Sequence, residues 1–355
     1  MVSLPGLQDA DVKGKRVFVR CDFDARLSEQ STINNQQLTI VDDARLVSCV
    51  STIEYLLENN CSVIAAGHLR RPEGWDIKYS LMPIVSWFAQ QFDSQIKETE
   101  MNGFKGWEIK RNFYILENLR FYKEEKDPTT PSGQEFVHKL ASLAEIYVNE
   151  AFGSSHRKHA SIVGIPKILP HFAGFHLAKE IKVLSAVLEN PERPLTIIIG
   201  GAKMETKLPI VAKMQAVADH ILIGGKLTDQ DIDLIEKEKA KSQRAEIIIA
   251  SLNEEGTDIA SESLMEFENI ISKSGMLVWN GPMGYLEGGF EDTTLNLAKA
   301  IINSDCYKIA GGGDTVAFLN KHKLFDKFDF VSMGGGAMLE FLSGAELPGL
   351  QALQN

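Results

Sequence analysis

Ten short runs along the chain are almost wholly apolar and rich in β-branched residues. They are RVFVR (16–20), SVIAAG (62–67), FYIL (113–116), IYV (146–148), LTIII (195–199), HILI (220–223), EIIIA (246–250), MLVW (276–279), YKIA (307–310) and DFVS (329–332). Longer amphipathic stretches separate them. Strands without polar alternation are buried on both faces, which predicts parallel sheets covered by helices on either side. Leu177, Ile181, Leu184 and Leu188 recur at spacings of three to four, so residues 172–190 read as one helix, stopped by Asn190 and Pro191. The expected fold is α/β: two doubly wound parallel-sheet, Rossmann-like domains joined by a helical hinge. The expected bounds are 1–171 for the first domain, 172–190 for the linker helix, 191–342 for the second domain and 343–355 for a C-terminal tail. IEKEKAKSQRAE (235–246) reads as a charged helix face.

Composition narrows the function. A length of 355 residues suits two domains of about 150 to 200 residues. With 44% apolar and 24% charged residues the chain is far from disorder, and a net charge of -11 argues against a nucleic-acid surface. The start lacks the pattern of a secretory signal and no apolar run approaches a membrane span, so a soluble intracellular protein is expected. Cys21, Cys49, Cys61 and Cys306 form no CxxC pair and are expected to be reduced, mostly core thiols.

In open parallel sheets ligands sit beyond the carboxyl ends of strands, and the two halves differ there. After the first-half strands come CDFD (21–24), GHLRRPEG (67–74), ENLRF (117–121) and NEAFGSSHRKHAS (149–161), rich in Arg and His. After the second-half strands come GGAKMETK (200–207), GGKL (224–227), NGPMG (280–284), GGGDT (311–315) and MGGGA (333–337), rich in Gly. Glycine lets backbone amides approach an anion, and the following helix adds its dipole, so these junctions are phosphate cradles. One such junction is usually only a tight turn; several in one domain, with Lys203 and Lys207 after the first, point to a polyphosphate. Asp314 reads either as a helix N-cap or as a Mg²⁺ ligand against nucleotide phosphates. Arg20, Arg45, Arg71, Arg120 and Arg157, with His68 and His156 or His159, suit a small substrate carrying a carboxylate and a phosphate, although singly each arginine reads as a surface ion pair. Asp22 and Asp24 are candidates for a substrate hydroxyl or for Asx turns. Two such surfaces imply phosphoryl transfer, with no Ser-His-Asp set or cysteine nucleophile needed.

These residues resemble the phosphoglycerate kinase family over nearly the whole chain. The motifs are RVFVRCDFD, DDARL, HLRRPEG, ENLRF, VNEAFGSSHRKHAS, IIIGGAKMETK, VWNGPMG, AGGGDT and GGGAMLEFLSGAELPGL. The resemblance implies a hinge-bending cytoplasmic monomer that interconverts ATP plus 3-phosphoglycerate with ADP plus 1,3-bisphosphoglycerate, using Mg²⁺, without nucleic-acid or membrane partners. It implies that Arg45 stabilises the transferring group together with Lys203 and the amides of Gly335 and Gly336. Arg20, Asp22, Asp24, His68, Arg71, Arg120 and Arg157 would bind the triose acid. Gly201, Lys203, Lys207, Gly224, Gly256, Asn280, Gly284, Glu287, Gly312, Gly313, Asp314 and Thr315 would bind the nucleotide, with Asp314 also serving the metal. The tail would return to pack on the first domain.

The chain departs from the family pattern in places. It is shorter, with losses after LIGG and between EIIIA and GTDIA, both beside the expected adenine pocket, and Thr257 stands where an apolar residue is usual. Asp24 replaces a usual Asn, Arg70 a usual Gly, Met333 a usual Thr or Ser, and Thr206 a usual Asp. Arg70 is expected to supply a cation that offsets Asp24. An active kinase with altered nucleotide affinity or base selectivity is the leading expectation; a catalytically weakened binding or regulatory protein is the alternative. A Rossmann dehydrogenase is disfavoured because no GxGxxG opens a strand–helix unit with an acidic residue about 20 positions on.

Overall fold

The computed structural model describes residues 3–32, 35–201, 207–225, 229–240 and 244–354. They form two compact units, one of residues up to Ile181 together with 347–354, the other running from Lys182 to Glu346.

The first unit contains strands β1 (Arg16–Arg20), β2 (Arg26–Thr32), β3 (Asn35–Asp42), β4 (Ser62–Ala66), β5 (Lys97–Met101), β6 (Phe104–Lys110), β7 (Phe113–Leu116), β8 (Ile146–Asn149) and β9 (His171–Ala173). Helices α1 (Ala44–Glu58), α2 (Met82–Gln91) and α3 (Pro131–Ala141) alternate with them, and α4 (Phe175–Glu189) follows. Its seven-stranded sheet has the order β5-β6-β7-β4-β1-β8-β9; the five strands from β7 to β9 are parallel, whereas β5 and β6 are antiparallel. The sheet is therefore mixed, not purely parallel as expected, and β2 and β3 form a separate antiparallel ribbon.

Residues 172–173 belong to β9, so the helix expected from 172 starts at Phe175. The cause is tertiary: the buried Glu150 carboxylate accepts the amides of His176 (3.0 Å) and Leu177 (2.9 Å) and the Thr52 hydroxyl (2.5 Å), capping the helix from outside it.

The second unit contains β10 (Leu195–Ile199), β11 (His220–Ile223), β12 (Glu246–Ile249), β13 (Met276–Asn280), β14 (Tyr307–Gly311) and β15 (Phe330–Ser332). Between and after them run α5 (Leu208–Met214), α6 (Asp229–Lys239), α7 (Ser261–Ile271), α8 (Asp292–Asn303), α9 (Gly313–Lys321) and α10 (Gly335–Leu342). The sheet is wholly parallel, in the order β12-β11-β10-β13-β14-β15, the doubly wound arrangement expected. Every residue of β10 and β13 is buried, which is why those runs carry no polar alternation. A last short helix, α11 (Pro348–Gln351), lies in the first unit, where the Gly349 amide donates to the Ser155 carbonyl at 2.8 Å. All four cysteines are free and buried. Among the described residues no helix is long and apolar enough to cross a membrane.

Candidate active site

Doubly wound sheets bind ligands where the strand order reverses. In the first unit that point lies between β1 and β8, and Arg20, the last residue of β1, is wholly buried there. Its Nε donates to Ser161 Oγ (2.8 Å), its Nη2 meets His68 Nδ1 (2.9 Å), and its Nη1 donates to the Cys21 carbonyl. A guanidinium has no acceptor, so His68 Nδ1 must accept and the imidazole proton sits on Nε2. Burial, reinforced by the charges of Arg20 and Arg120, holds His68 well below its ordinary value, in agreement with that neutral tautomer. Burial and the same two arginines push His159 down to about 3. Ser161 passes the contact on: its hydroxyl donates to Glu125 Oε1 (2.5 Å) and its amide to Oε2 (3.0 Å). Burial raises Glu125 and the Arg20 charge opposes that rise.

Arg120 joins this cluster from the loop after β7. Its Nη1 donates to the Arg70 carbonyl at 2.7 Å, while its buried Nε has no hydrogen-bond partner among the described residues. Burial, then the charges of Arg157 and Arg20, pushes it down to about 10. Arg71 adds a weaker repulsion, and His156 bears on His159. Cations that disfavour one another's charge form a site that a bound anion relieves.

Arg45 stands apart in the first turn of α1. Its Nη1 lies 3.2 Å from both Asp22 oxygens, and its side chain is 31% exposed. The Asp22 charge raises Arg45, so it stays cationic and oriented. Asp24 differs from expectation: its Oδ1 accepts the main-chain amide of Arg70 at 2.8 Å, and Arg70 adopts the left-handed region at φ 58°. The amide of Arg70, not its guanidinium, is what Asp24 meets.

In the second unit the order reverses between β10 and β13. There the two strand ends touch. The Gly200 amide donates to the Asn280 carbonyl (2.9 Å) and the Gly201 amide to the Pro282 carbonyl (2.6 Å). A Cβ at Gly281, which has φ +99°, would fall 2.2 Å from the Gly200 oxygen, so only glycine fits. Gly224 follows β11, and a Cβ on its neighbour Gly225 would lie 2.4 Å from the Gly201 nitrogen. Lys207 is buried and donates to the Gly200 carbonyl; burial pushes it down to about 8, and Asp314 pulls the other way. Lys203 and Thr206 lie outside the described residues.

Helices α9 and α10 begin side by side, since a Cβ at Gly335 would sit 3.3 Å from Gly312 Cα. Their N-caps are Gly312 and Gly334, which have no side chain to cap the first amides of the two helices, those of Gly313, Gly335 and Gly336 among them. Asp314 is exposed in the first turn of α9 and is not its N-cap. Asn280 packs beneath Gly312, its buried Nδ2 without a partner among the described residues. The Thr315 hydroxyl is buried and accepts the Gly281 amide at 2.8 Å, so it props the glycine loop from below.

The shortened stretch after β12 closes as a turn. Leu252 bridges Ile259, the Gly256 amide donates to the Asn253 carbonyl (3.0 Å), and Asn253 Oδ1 accepts the Thr257 amide (2.9 Å). Thr257 is thus held in the turn by its amide. Gly284 packs on Asp258, and Glu287 is exposed on the turn that follows. Among the described residues no cluster of three or more His, Cys, Asp or Glu could cage a metal. A groove of about 1240 Å³ lined by Trp75, Ile77, Trp87 and Trp107 lies in the first unit but includes none of the arginines above, so size does not mark the chemistry.

Of the supporting residues, Asn118, Ser161 and Gly281 fall within the ENLRF, NEAFGSSHRKHAS and NGPMG runs at the strand ends, whereas Glu125 lies in a KEEK stretch that carries no such signal.

The model of the phosphoglycerate kinase family matches residues 7–230 and 228–345. The chain belongs to that family. It is a phosphotransferase with a carboxyl group as acceptor. The phosphoglycerate kinase of Aquifex aeolicus is 37% identical over 98% of both chains, and that of Dictyoglomus turgidum 35% identical with the same coverage. The solved phosphoglycerate kinase of Coxiella burnetii, 27% identical, covers 99% of both chains with a TM-score of 0.79; that of Pyrococcus horikoshii, 28% identical, covers 99% of this chain and 98% of its own with the same score. The alignment with the Aquifex relative runs over 401 positions, more than this chain possesses, so the relative carries segments with no counterpart here. The family match breaks at 228–230, directly after LIGG.

Proposed function

We propose that the chain transfers a phosphoryl group reversibly between ATP and the carboxylate of 3-phosphoglycerate, the first unit holding the acid and the second the nucleotide. The observation that carries this reading is the cluster of buried Arg20, His68 and Arg120 with half-buried Arg157, in which Arg120 is driven down to about 10 by burial and by other arginines. A ligand with one phosphate and one carboxylate meets the charge and the fork geometry of that cluster. Arg71 extends it at the exposed edge. The acceptor carboxylate is already ionised, so the protein has only to position it and neutralise charge. Arg45, held by Asp22, takes the second task, with Lys203 and the amides of Gly335 and Gly336.

On the second unit, Lys207, the amides of Gly312 and Gly313, and Asn280 Nδ2, which has no partner among the described residues, suit the phosphates, while Gly201, Gly224, Gly256, Gly284 and Glu287 form the remaining nucleotide wall. Mg²⁺ fits this donor set: it takes one or two protein carboxylates and completes its shell with phosphates and water, and Asp314 is an exposed carboxylate at a phosphate cradle. Bound there, it neutralises phosphate charge. A coupled assay with ATP, Mg²⁺ and 3-phosphoglycerate tests the whole reading; turnover no higher than that of an Arg45→Ala control ends it. Running the same assay over a nucleotide panel reports whether the trimmed wall has changed base preference.

Lys207 makes a pH prediction. A bound polyphosphate favours its charged form, so ADP affinity is expected to fall on the order of tenfold as pH rises from about 7.5 to about 9.5, because the free protein gives up that proton near pH 8. The stability of the empty unit moves oppositely. The folded value lies below the unfolded one, so the unfolded chain binds more protons above about pH 8 and stability rises with pH up to the ordinary lysine value. Calorimetric titration of Lys207→Gln should give a flat pH profile; a wild-type slope in that variant removes Lys207 from the site.

A further inference from the structure

We propose that Asp24 is a positioning residue that sets the guanidinium of Arg120 through the main chain of Arg70. The proposal rests on the reading of Arg120 as part of the acid-binding cluster. Arg70 is a non-glycine residue in the left-handed region, a conformation that sterics disfavour unless its surroundings hold it. The surroundings hold it from both sides. Asp24 Oδ1 accepts its amide at 2.8 Å, and Arg120 Nη1 donates to its carbonyl at 2.7 Å. Upstream, Asn118 Nδ2 donates to the Leu69 carbonyl (2.9 Å) and the Leu119 amide to the Gly67 carbonyl (3.1 Å), so the strand-end segment is pinned up to Arg70 itself. Arg70 is the remaining joint, and Asp24 locks it from a loop 46 residues away.

The consequence falls on Arg120. One arm of its fork is tied to the Arg70 carbonyl, and this orients the buried Nε, which has no partner among the described residues. Were the Arg70 peptide to relax to a right-handed conformation, its carbonyl would swing away and the guanidinium would lose its orienting acceptor. The Asp24 side chain supplies the acceptor oxygen that this amide needs.

The test is a cycle over Asp24 and Arg70, read as 3-phosphoglycerate affinity by calorimetry and as KM and kcat at saturating MgATP. Asp24→Ala is expected to weaken acid binding about tenfold with kcat within about threefold, the size of one lost charge-assisted contact. In an Arg70→Gly background, where the backbone adopts the left-handed region unaided, adding Asp24→Ala should cost no more than about threefold. Asp24→Asn keeps the acceptor oxygen and should recover most of what Asp24→Ala loses. An undiminished tenfold loss in the Arg70→Gly background, or an Asp24→Asn as damaged as Asp24→Ala, overturns the proposal in favour of direct substrate contact by the carboxylate. The Arg70→Gly arm stays informative even if Asp24→Ala alone does not fold. Arg120→Lys separates the two layers. If it leaves acid binding unchanged, the reading of the cluster fails; if it weakens binding while Asp24→Ala does not, only the relay fails.

Discussion

Replacing Arg45 by alanine is expected to lower kcat by about a thousandfold or more while raising the KM for 3-phosphoglycerate only a few fold. An arginine that meets charge only as it develops on a moving phosphoryl group is worth on the order of 10³ to 10⁵ in turnover, whereas one that binds the ground state acts on KM. The geometry favours the first case. Arg45 Nη1 is 3.2 Å from both oxygens of the buried Asp22, so in the resting protein its charge is already satisfied, and its side chain keeps 31% exposure from which to reach an incoming group. The ground-state anion has the separate cluster around Arg20 and Arg120 to hold it. Steady-state kinetics on the variant decide the matter; equal losses in kcat and affinity would reassign Arg45 to substrate binding. Arg45→Lys should recover little, because a single ammonium cannot face Asp22 and a phosphoryl oxygen with one rigid fork.

The second large effect is on stability. Arg20→Ala is expected to remove about 3–5 kcal/mol from the first unit, because it breaks a buried charge network from one side. Arg20 is fully buried and serves Ser161, His68 and the Cys21 carbonyl. Its charge also opposes the rise that burial imposes on Glu125. Without it, Glu125 keeps the Ser161 bonds at 2.5 and 3.0 Å and the weaker influence of the Arg120 charge, with His159 Nδ1 at 3.8 Å, and loses its largest opposing charge.

The pH dependence then follows with a definite sign. A carboxyl whose folded value lies above its unfolded value binds more protons in the folded state, so its penalty is absent at low pH and grows as pH rises through the folded value. Losing Arg20 enlarges that shift, so the deficit of the variant should be greater at about pH 8 than at about pH 5. Glu125→Gln, added to Arg20→Ala, should restore part of the loss at the higher pH. Denaturant unfolding followed by tryptophan fluorescence reads this unit well, since Trp75, Trp87 and Trp107 lie in it and only Trp279 lies in the other. A deficit that neither changes with pH nor responds to Glu125→Gln would show that the two side chains are not coupled.

Much of this protein was legible before folding. All ten apolar runs became strands, because a strand covered on both faces must be apolar at successive positions and that requirement is written locally. The doubly wound order of the second sheet and the clustering of Arg20, His68, Arg120 and Arg157 at one strand edge follow from where the strands end. Of the five strands outside those runs, β2, β3 and β5 are polar. β5 reads KETEM, with Lys97, Glu98 and Glu100 exposed at the sheet edge, and the ribbon of β2 and β3 carries RLSEQST against NQQLTIVD. Charge at an edge protects it from further pairing and erases the apolar signal in the same stroke.

What the order of residues determined by itself was the set of buried strands, the α/β class and the residue types gathered at the strand ends, since these depend on burial and on local spacing. Only the tertiary structure decided the start of α4 under the Glu150 carboxylate and the neutral tautomer of His68 beneath Arg20. It also turned Asp24 toward the Arg70 amide. Each of these is a hydrogen bond or a charge state made between segments distant in sequence, and its energy depends on a separation of a few ångströms that no local pattern encodes.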